Sequence, residues 1–356
     1  MPLALVAPGL LFAPADLLGR DPTCARLAGR AGAPRIQPEG IARAILDALQ
    51  WPEGTAIAPL AALGAGDDPG EGFVAAADPV HLEAGATDVV LTERIDDLDR
   101  DEADALVATL AAHFAVDGLR FRAPRADAWF IHAERTPDVA TTPIDAVVGR
   151  SLIAHLPRGP HAQAWKRWQD EAAMLLHEHP VNVAREARGR PTVNGVWFWG
   201  GGRLARHGSR APVRVAAAAG HEGDLARGIA LATGDSATPW PPAPGWLDEV
   251  LRRRDPPDRD RGGDPATVVV TDVIGNAGAD GGVGAFVRDW LAPALAALDQ
   301  RRLDALHLLA DGNGLAATWT ATPSGRLARL RARWGARPFL IPAAPAADED
   351  HAPDRP

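Results

Sequence analysis

The stretch from His177 to Gly202, HEHPVNVAREARGRPTVNGVWFWGGG, constrains the fold most, because the backbone period must change in the middle of it. With Met174 and Leu175 just before it, Val181 and Val183 continue a helical apolar spacing, and Pro180 starts a new turn. Val193, Val196, Trp197, Phe198 and Trp199 are β-branched and aromatic residues in a short run, which predicts a strand. Gly200, Gly201 and Gly202 are expected to end that strand in a turn of unusual backbone angles. A strand that empties into glycines either offers backbone N–H groups to a ligand or only makes a tight turn.

The rest of the chain sets the frame. At 356 residues, 46% hydrophobic and 23% charged, it has the length for two domains. A net charge of -9 and the lack of any long Lys/Arg block argue against a nucleic-acid surface; the triplet Arg252–Arg254 sits among Pro and Asp in a linker. Cys24 is the single cysteine, so no disulfide framework or cysteine metal cluster is available and a buried thiol is expected. The opening MPLALVAPGLLFAPADLLG lacks a basic leader and is broken by Pro2, Pro8 and Pro14, which favours a buried strand over a signal sequence. No apolar run reaches the roughly 20 residues needed to cross a bilayer, so a soluble, cytoplasmic protein without a membrane partner is expected.

In order, Leu3–Val6 predicts a strand, Thr23 an N-cap and Gly32 a helix stop, and GIARAILDAL from Gly40 an amphipathic helix. Residues 73–130 mix short strands with the best helix pattern of the chain, Arg100–Ala115, and a hairpin in LRFRAPRADAWFIHA. HAQAWKRWQDEAAMLLHEH from His161 is a second strong helix. VRVAAAAG then DLARGIALATG repeat strand and helix; ATVVVTDV is a strand of the parallel-sheet type. GAFVRDWLAPALAALDQRRL is a helix kinked at Pro293, and DGNG from Asp311 closes a hairpin. Residues 343–356 have the composition of a disordered tail.

Taken in that order, the chain resembles the archaeal-type cofactor-independent phosphoglycerate mutases of the alkaline phosphatase superfamily, and within that group the bacterial RpfE-type regulatory proteins. The resemblance rests on LGAGDDP from Leu63, RDEADALV from Arg100, Asn182 with Arg185 and Gly189, and VWFWGGG from Val196, in preserved order. It implies an α/β fold: an alkaline-phosphatase-like core with a mainly parallel sheet, from residues 1–64 and 213–342, plus an inserted α+β module over 65–190. Residues 191–212 would be the return strand and glycine turn.

The family's chemistry uses two divalent metals held by Asp and His around a Ser nucleophile. Here the resemblance puts Thr55 at the nucleophile and Ala56 at the neighbouring Asp. The metal positions fall on Pro8, Gly275, Ala279, Asp311 and Gly312. Asp311 is the one carboxylate left, and one carboxylate does not hold a metal pair. No cofactor is therefore expected. Independently of the resemblance, the sequence contains no HExxH and no GxSxG. His177 and His179 stand at i and i+2, on one side of a strand but not of a helix.

The leading reading is a phosphoglycerate-mutase-like protein without catalytic residues, binding a small phosphorylated metabolite, with no protein partner named by the sequence. The expected seat comprises His177, His179, Asn182, Arg185, Trp197, Trp199, Gly200, Gly201 and Gly202: Arg offers a bidentate fork, Asn adds donors, and glycines expose N–H groups. The bland alternative pairs Arg185 with Glu178 or Glu186 on a solvated helix face. A second reading is a mutase or phosphatase with an atypical metal set from His177, His179, His81 and Asp311. A third is an interaction scaffold, which requires the tryptophans of WKRWQ and VWFWG to be exposed. Asp78-Pro79 is read as a turn opener.

Overall fold

In the computed structural model the described residues are 1–85, 88–205, 213–218, 220–235, 237–238, 245–252, 266–271, 278–312 and 315–323. Among them the strands are β1 (Pro2–Ala7), β2 (Arg35–Gln37), β3 (Phe73–Ala84), β4 (Val89–Arg94), β5 (Leu119–Arg125), β6 (Ala128–Ala133), β7 (Arg150–Ser151), β8 (Gly195–Gly202), β9 (Val213–Ala217), β10 (Ala237–Thr238), β11 (Ala266–Val270), β12 (Ala305–Gly312) and β13 (Leu315–Ala321). They form two sheets. The first, in the order β10-β9-β11-β1-β12-β13-β2, is parallel from β10 to β12 and antiparallel beyond; the second joins β5-β6-β3-β4-β7, with β8 on β3, all antiparallel. The strands of the first sheet come from residues 2–37 and 213–321, and those of the second from 73–202.

Uninterrupted apolar runs are what a sheet covered on both faces demands. In β1, Leu3, Leu5 and Ala7 enter the core beneath the helices Pro22–Ala31 and Ala292–Asp299, while Ala4 and Val6 enter the opposite core with the helices Gly40–Ala48 and His221–Ala232. The run VWFW in β8 follows the same logic between two different partners. Val196 and Phe198 face the core built on the helices Arg100–Phe114 and Ala162–His177, whereas Trp197 and Trp199 face the core shared with the first sheet. Period two is obeyed, but neither side is solvent.

Several local expectations need correction. The glycine triplet does not end β8 in a turn; it is the end of the strand. Trp199 pairs with Ala76 and Gly202 with Val74, so Gly200 and Gly201 oppose the single residue Ala75, and Gly200 takes φ 65°. This is a bulge built on left-handed glycine, a form that only a residue without Cβ adopts cheaply. Asp78 and Pro79 lie inside β3, not in a turn; proline is tolerated there because one edge of β3 passes at that point from β6 to β4. The cap of the helix Pro22–Ala31 is Asp21, whose side chain accepts from Thr23 and Cys24 N–H, and Thr23 itself is helical. Cys24 is buried, and burial followed by Asp21 pushes its thiol up to about 12.

The kink near Pro293 has a visible mechanism. A π-helical turn, Val287–Leu291, precedes the final helix Ala292–Asp299. Pro293 has no N–H for the carbonyl four residues back, that of Asp289, and Trp246 Nε1 donates to that oxygen at 2.9 Å. The hairpin of β12 and β13 is present, although Asn313 and Gly314 of its turn lie outside the described residues, as do Gly275, residues 253–265 of the linker and the tail 343–356.

Candidate functional site

The expected seat around Arg185 is interior structure. His179 caps the helix Pro180–Ala187 with Nδ1 accepting from Val181 N–H, its Nε2 lies 3.1 Å from Thr109 Oγ1, and burial lowers its pKa. Asn182 is spent on Leu176 O, Val193 O and Val193 N–H. Arg185 is 0% exposed and donates to Pro191 O at 2.8 Å, Glu102 at 2.9 Å and Asp97. It pairs with neither Glu178 nor Glu186. Trp197 and Trp199 are 3% and 6% exposed, with their indole N–H groups on Thr142 O and Asp78, so β8 presents no aromatic patch. His177 is exposed at the end of its helix.

The atypical metal set does not assemble either. His81 Nδ1 lies 2.8 Å from Thr192 O in the second sheet, while Asp311 ends β12 in the first and accepts from Gly9 N–H at 2.6 Å. Among the described residues no three His, Cys, Asp or Glu side chains converge as metal ligands.

Of the positions that the resemblance sets at the nucleophile and metal ligands, Pro8, Asp311 and Gly312 lie at the carboxyl ends of the parallel strands β1 and β12. That edge is where open α/β sheets bind ligands. Pro8 is buried just after β1. A Cβ on Gly312 would lie 2.7 Å from the backbone of Leu11 and Phe12, so no ligating side chain fits there. Thr55 Oγ1 donates to Pro52 O at 2.8 Å. Ala56 next to it packs against Gly202, whose own Cβ would sit 2.4 Å from that of Ala56. Ala279 lies in the helix Gly278–Phe286. These residues do not fit a two-metal centre.

What the edge does hold is a cluster of ionisable groups facing the second sheet. A cavity of about 30 Å³ is lined by Asp78 of β3, Arg94 at the end of β4, Asp145, and His221, Glu222 and Asp224 from the first turn of the helix His221–Ala232. That is room for about two waters. Asp224 is bound by Arg125 and Arg227. Asp78 is 1% exposed, accepts from Trp199 Nε1, and lies 3.4 Å from His221 Nε2. Burial opposes its charge, yet His221, Arg94 and Trp199 together hold its carboxyl below the usual range.

The other two carboxyls move the opposite way. Burial and then the Glu222 charge push Asp145 up to about 6. Burial and then Asp145 and Glu222 push Asp311 well above the usual range, against the Gly9 N–H. Arg94, half-buried, is held protonated by Asp78, Glu222 and Asp145 against the cost of burial, but among the described residues it makes no hydrogen bond or ion pair. A guanidinium without a hydrogen-bond partner among the described residues, in a cavity walled mainly by apolar side chains, suits a phosphoryl or carboxylate group.

Sequence reasoning missed Arg94, Asp145, His221 and Glu222. For the last two a signal existed: strand VRVAA, then Gly220 at φ 119°, then an acidic first helical turn, which puts His221 and Glu222 at a strand's carboxyl end. Nothing local marks Arg94 or Asp145.

No protein-family profile matches the chain. The 2,3-bisphosphoglycerate-independent phosphoglycerate mutase of Methanosarcina mazei is 27% identical over 157 residues, 42% of this chain and 38% of the relative. The chain is thus a partial, low-identity homologue of the archaeal-type cofactor-independent phosphoglycerate mutases. The matched stretch spans less than half of that relative's length. Two solved structures align along most of the chain at 16% identity. The PH0037 protein of Pyrococcus horikoshii gives a TM-score of 0.49, covering 91% of this chain and 88% of its own. The cofactor-independent phosphoglycerate mutase of Thermoplasma acidophilum gives 0.37, covering 90% and 89%. The fold is mixed α/β with parallel and antiparallel sheets. Among the described residues no helix is long and apolar enough to cross a membrane.

Proposed function

We propose that this chain is a phosphoglycerate-mutase-like protein that recognises a small phosphorylated metabolite and does not transfer its phosphoryl group. Arg94 is the anion receptor and the carboxyl edge of an alkaline-phosphatase-like core is the seat. A cytoplasmic regulatory role of the RpfE type fits this reading. The observation that carries it is a contrast between two sets of residues. The positions that the resemblance sets at the nucleophile and metal ligands are taken up by Thr55 bonded to Pro52 O, Asp311 accepting from Gly9 N–H and Gly312 against Leu11, whereas Arg94 makes no hydrogen bond or ion pair among the described residues.

Chemistry and binding separate cleanly here. Phosphoryl transfer depends on positioning and on neutralising the transferring charge, and a Thr hydroxyl that donates to a carbonyl offers neither. Binding needs only the guanidinium and neutral donors; near pH 6 the Asp145 carboxyl, with its pKa raised to about 6, is half protonated and can donate. The test is turnover of 3-phosphoglycerate and of p-nitrophenyl phosphate by the purified chain, with manganese or zinc added and with a chelator. Turnover indistinguishable from background in every condition is expected. Turnover that appears with metal and vanishes with chelator overturns the reading.

A further inference from the structure

Six ionisable side chains line the Arg94 cavity, and their commitments divide them. Asp78 lies 3.4 Å from His221 Nε2 and accepts from Trp199 Nε1, and Asp224 is bound by Arg125 and Arg227. Arg94, Asp145 and Glu222 are left over. All three are half-buried, and none makes a hydrogen bond or ion pair among the described residues. They come from three distant parts of the chain: Arg94 ends β4, Asp145 lies in the single-turn helix Ile144–Ala146, and Glu222 opens the helix His221–Ala232. Asp145 is seated by backbone. Its Oδ2 stands 2.7 Å from where a Cβ on Gly40 would be, at the start of the helix Gly40–Ala48, so a glycine at that position makes room for the carboxyl.

One uncommitted cation therefore serves two uncommitted carboxyls. With both carboxyls ionised the trio is already negative before any ligand arrives. The cavity has room for about two waters, so an anion that parts its walls and settles on Arg94 comes in with little water to screen it from Asp145 and Glu222. Like charges brought together in so dry a space do not all stay ionised, and the group that gives way takes a proton. Asp145 is that group. Burial and then the Glu222 charge push it up to about 6, with Asp78 adding to the push and Arg94 and His221 opposing it. Asp311, at the end of β12 and outside the cavity lining, is pushed up after burial by Asp145 and Glu222. The helix Gly40–Ala48, which packs on Asp145, carries only Arg43 and Asp47 as charges, and these bind each other.

We propose that the seat takes its anion together with a proton held on Asp145: Arg94 supplies the charge, and the neutral carboxyl donates its O–H to an oxygen of the anion. The proton comes from solvent and returns to it on release. Binding is thus proton-linked, full when Asp145 is already neutral and weaker as pH rises past the point where a proton has to be taken up. The inference rests on the reading of Arg94 as the anion receptor and adds to it the group that regulates that seat.

The experiment is isothermal titration of sodium sulfate into the full chain at a series of pH values from 5 to 8, because sulfate keeps the same charge over that range whereas phosphate esters titrate within it. The parent's dissociation constant is expected to be level below about pH 6 and to rise about tenfold per pH unit above it, the slope for one linked proton. Repeating the titration at pH 7 in buffers of different ionisation heat should show close to one proton taken up. Asp145→Asn keeps a donor and loses the titration, so its affinity should be level across the range and exceed the parent's at pH 8 by roughly a hundredfold. A level profile in the parent, or the same slope in Asp145→Asn, overturns the proposal and leaves Arg94 as the receptor. No saturable heat at any pH, or the same heat in Arg94→Gln, overturns both.

Discussion

Two arginines, Arg185 and Arg94, both stand among carboxylates, and they do opposite things. Arg185 is fully buried and bound to Pro191 O, Glu102 and Asp97, with Arg188 on the other Glu102 oxygen. It ties the helix Pro180–Ala187 to the N-terminus of the helix Arg100–Phe114, where Asp99 and Glu102 also form a reciprocal cap. Arg94 is half-buried in a cavity with Asp78, Asp145 and Glu222 nearby and donates to none of them. A buried charge whose nitrogens each have an acceptor is structure; a charge that has none among the described residues is available for a ligand.

The largest effect follows from the first arginine. Arg185→Ala removes a fully buried cation from Glu102, which keeps only Arg188, and from the half-exposed Asp97, and breaking a buried pair typically costs about 3–5 kcal/mol. Denaturant titration should show that loss, and a change under about 1 kcal/mol would mean that the knot is solvated.

In the helix-rich parts of this region the sequence was a good guide, because the signals are local. The Asp99 and Glu102 cap, Pro180 at a helix start and the apolar stripe of Gly40–Ala48 announce their elements within a few residues. The roles of the side chains were not legible. Arg185 looks like a ligand-binding residue from its neighbours His179 and Asn182, but its acceptors Asp97 and Glu102 lie over eighty residues away. Arg94, Asp145 and Glu222 meet only when both sheets are in place, and the Gly200–Gly202 bulge is set by its pairing with β3.

The next effect is a pH dependence at the Arg94 cavity. Asp145 has its folded pKa raised from 3.8 to about 6, so the folded state favours its protonated form. Its contribution is intact below about pH 4 and is lost as pH rises through about 6, when the charge must be carried in the fold. Asp145→Asn should therefore be more stable than the parent at pH 8 by roughly 2 kcal/mol, after allowance for screening at a half-buried site, with the difference fading toward pH 4. Melting curves at the two pH values check it, and an equal difference at both would remove Asp145 from the cluster.

Smaller still is Thr55→Ala. Its hydroxyl donates to Pro52 O, and one such bond is worth about 1 kcal/mol. Melting temperature should drop slightly, and phosphate-ester turnover should stay at background. Turnover above background in the parent that this variant abolishes would return Thr55 to a catalytic role.

The contrast between the two arginines is tested most directly by isothermal titration of 3-phosphoglycerate into the parent chain and into Arg94→Gln at pH 6. Arg94 makes no hydrogen bond or ion pair among the described residues, but its charge offsets Asp78, Glu222 and Asp145, so the variant should melt below the parent and its fold is checked by circular dichroism before titration. A saturable heat in the parent that disappears in Arg94→Gln is the predicted result, with a thermal shift that reaches about 2.7 kcal/mol at a hundredfold excess over Kd. No heat in either protein, or the same heat in both, would contradict the assignment of Arg94 as the anion receptor.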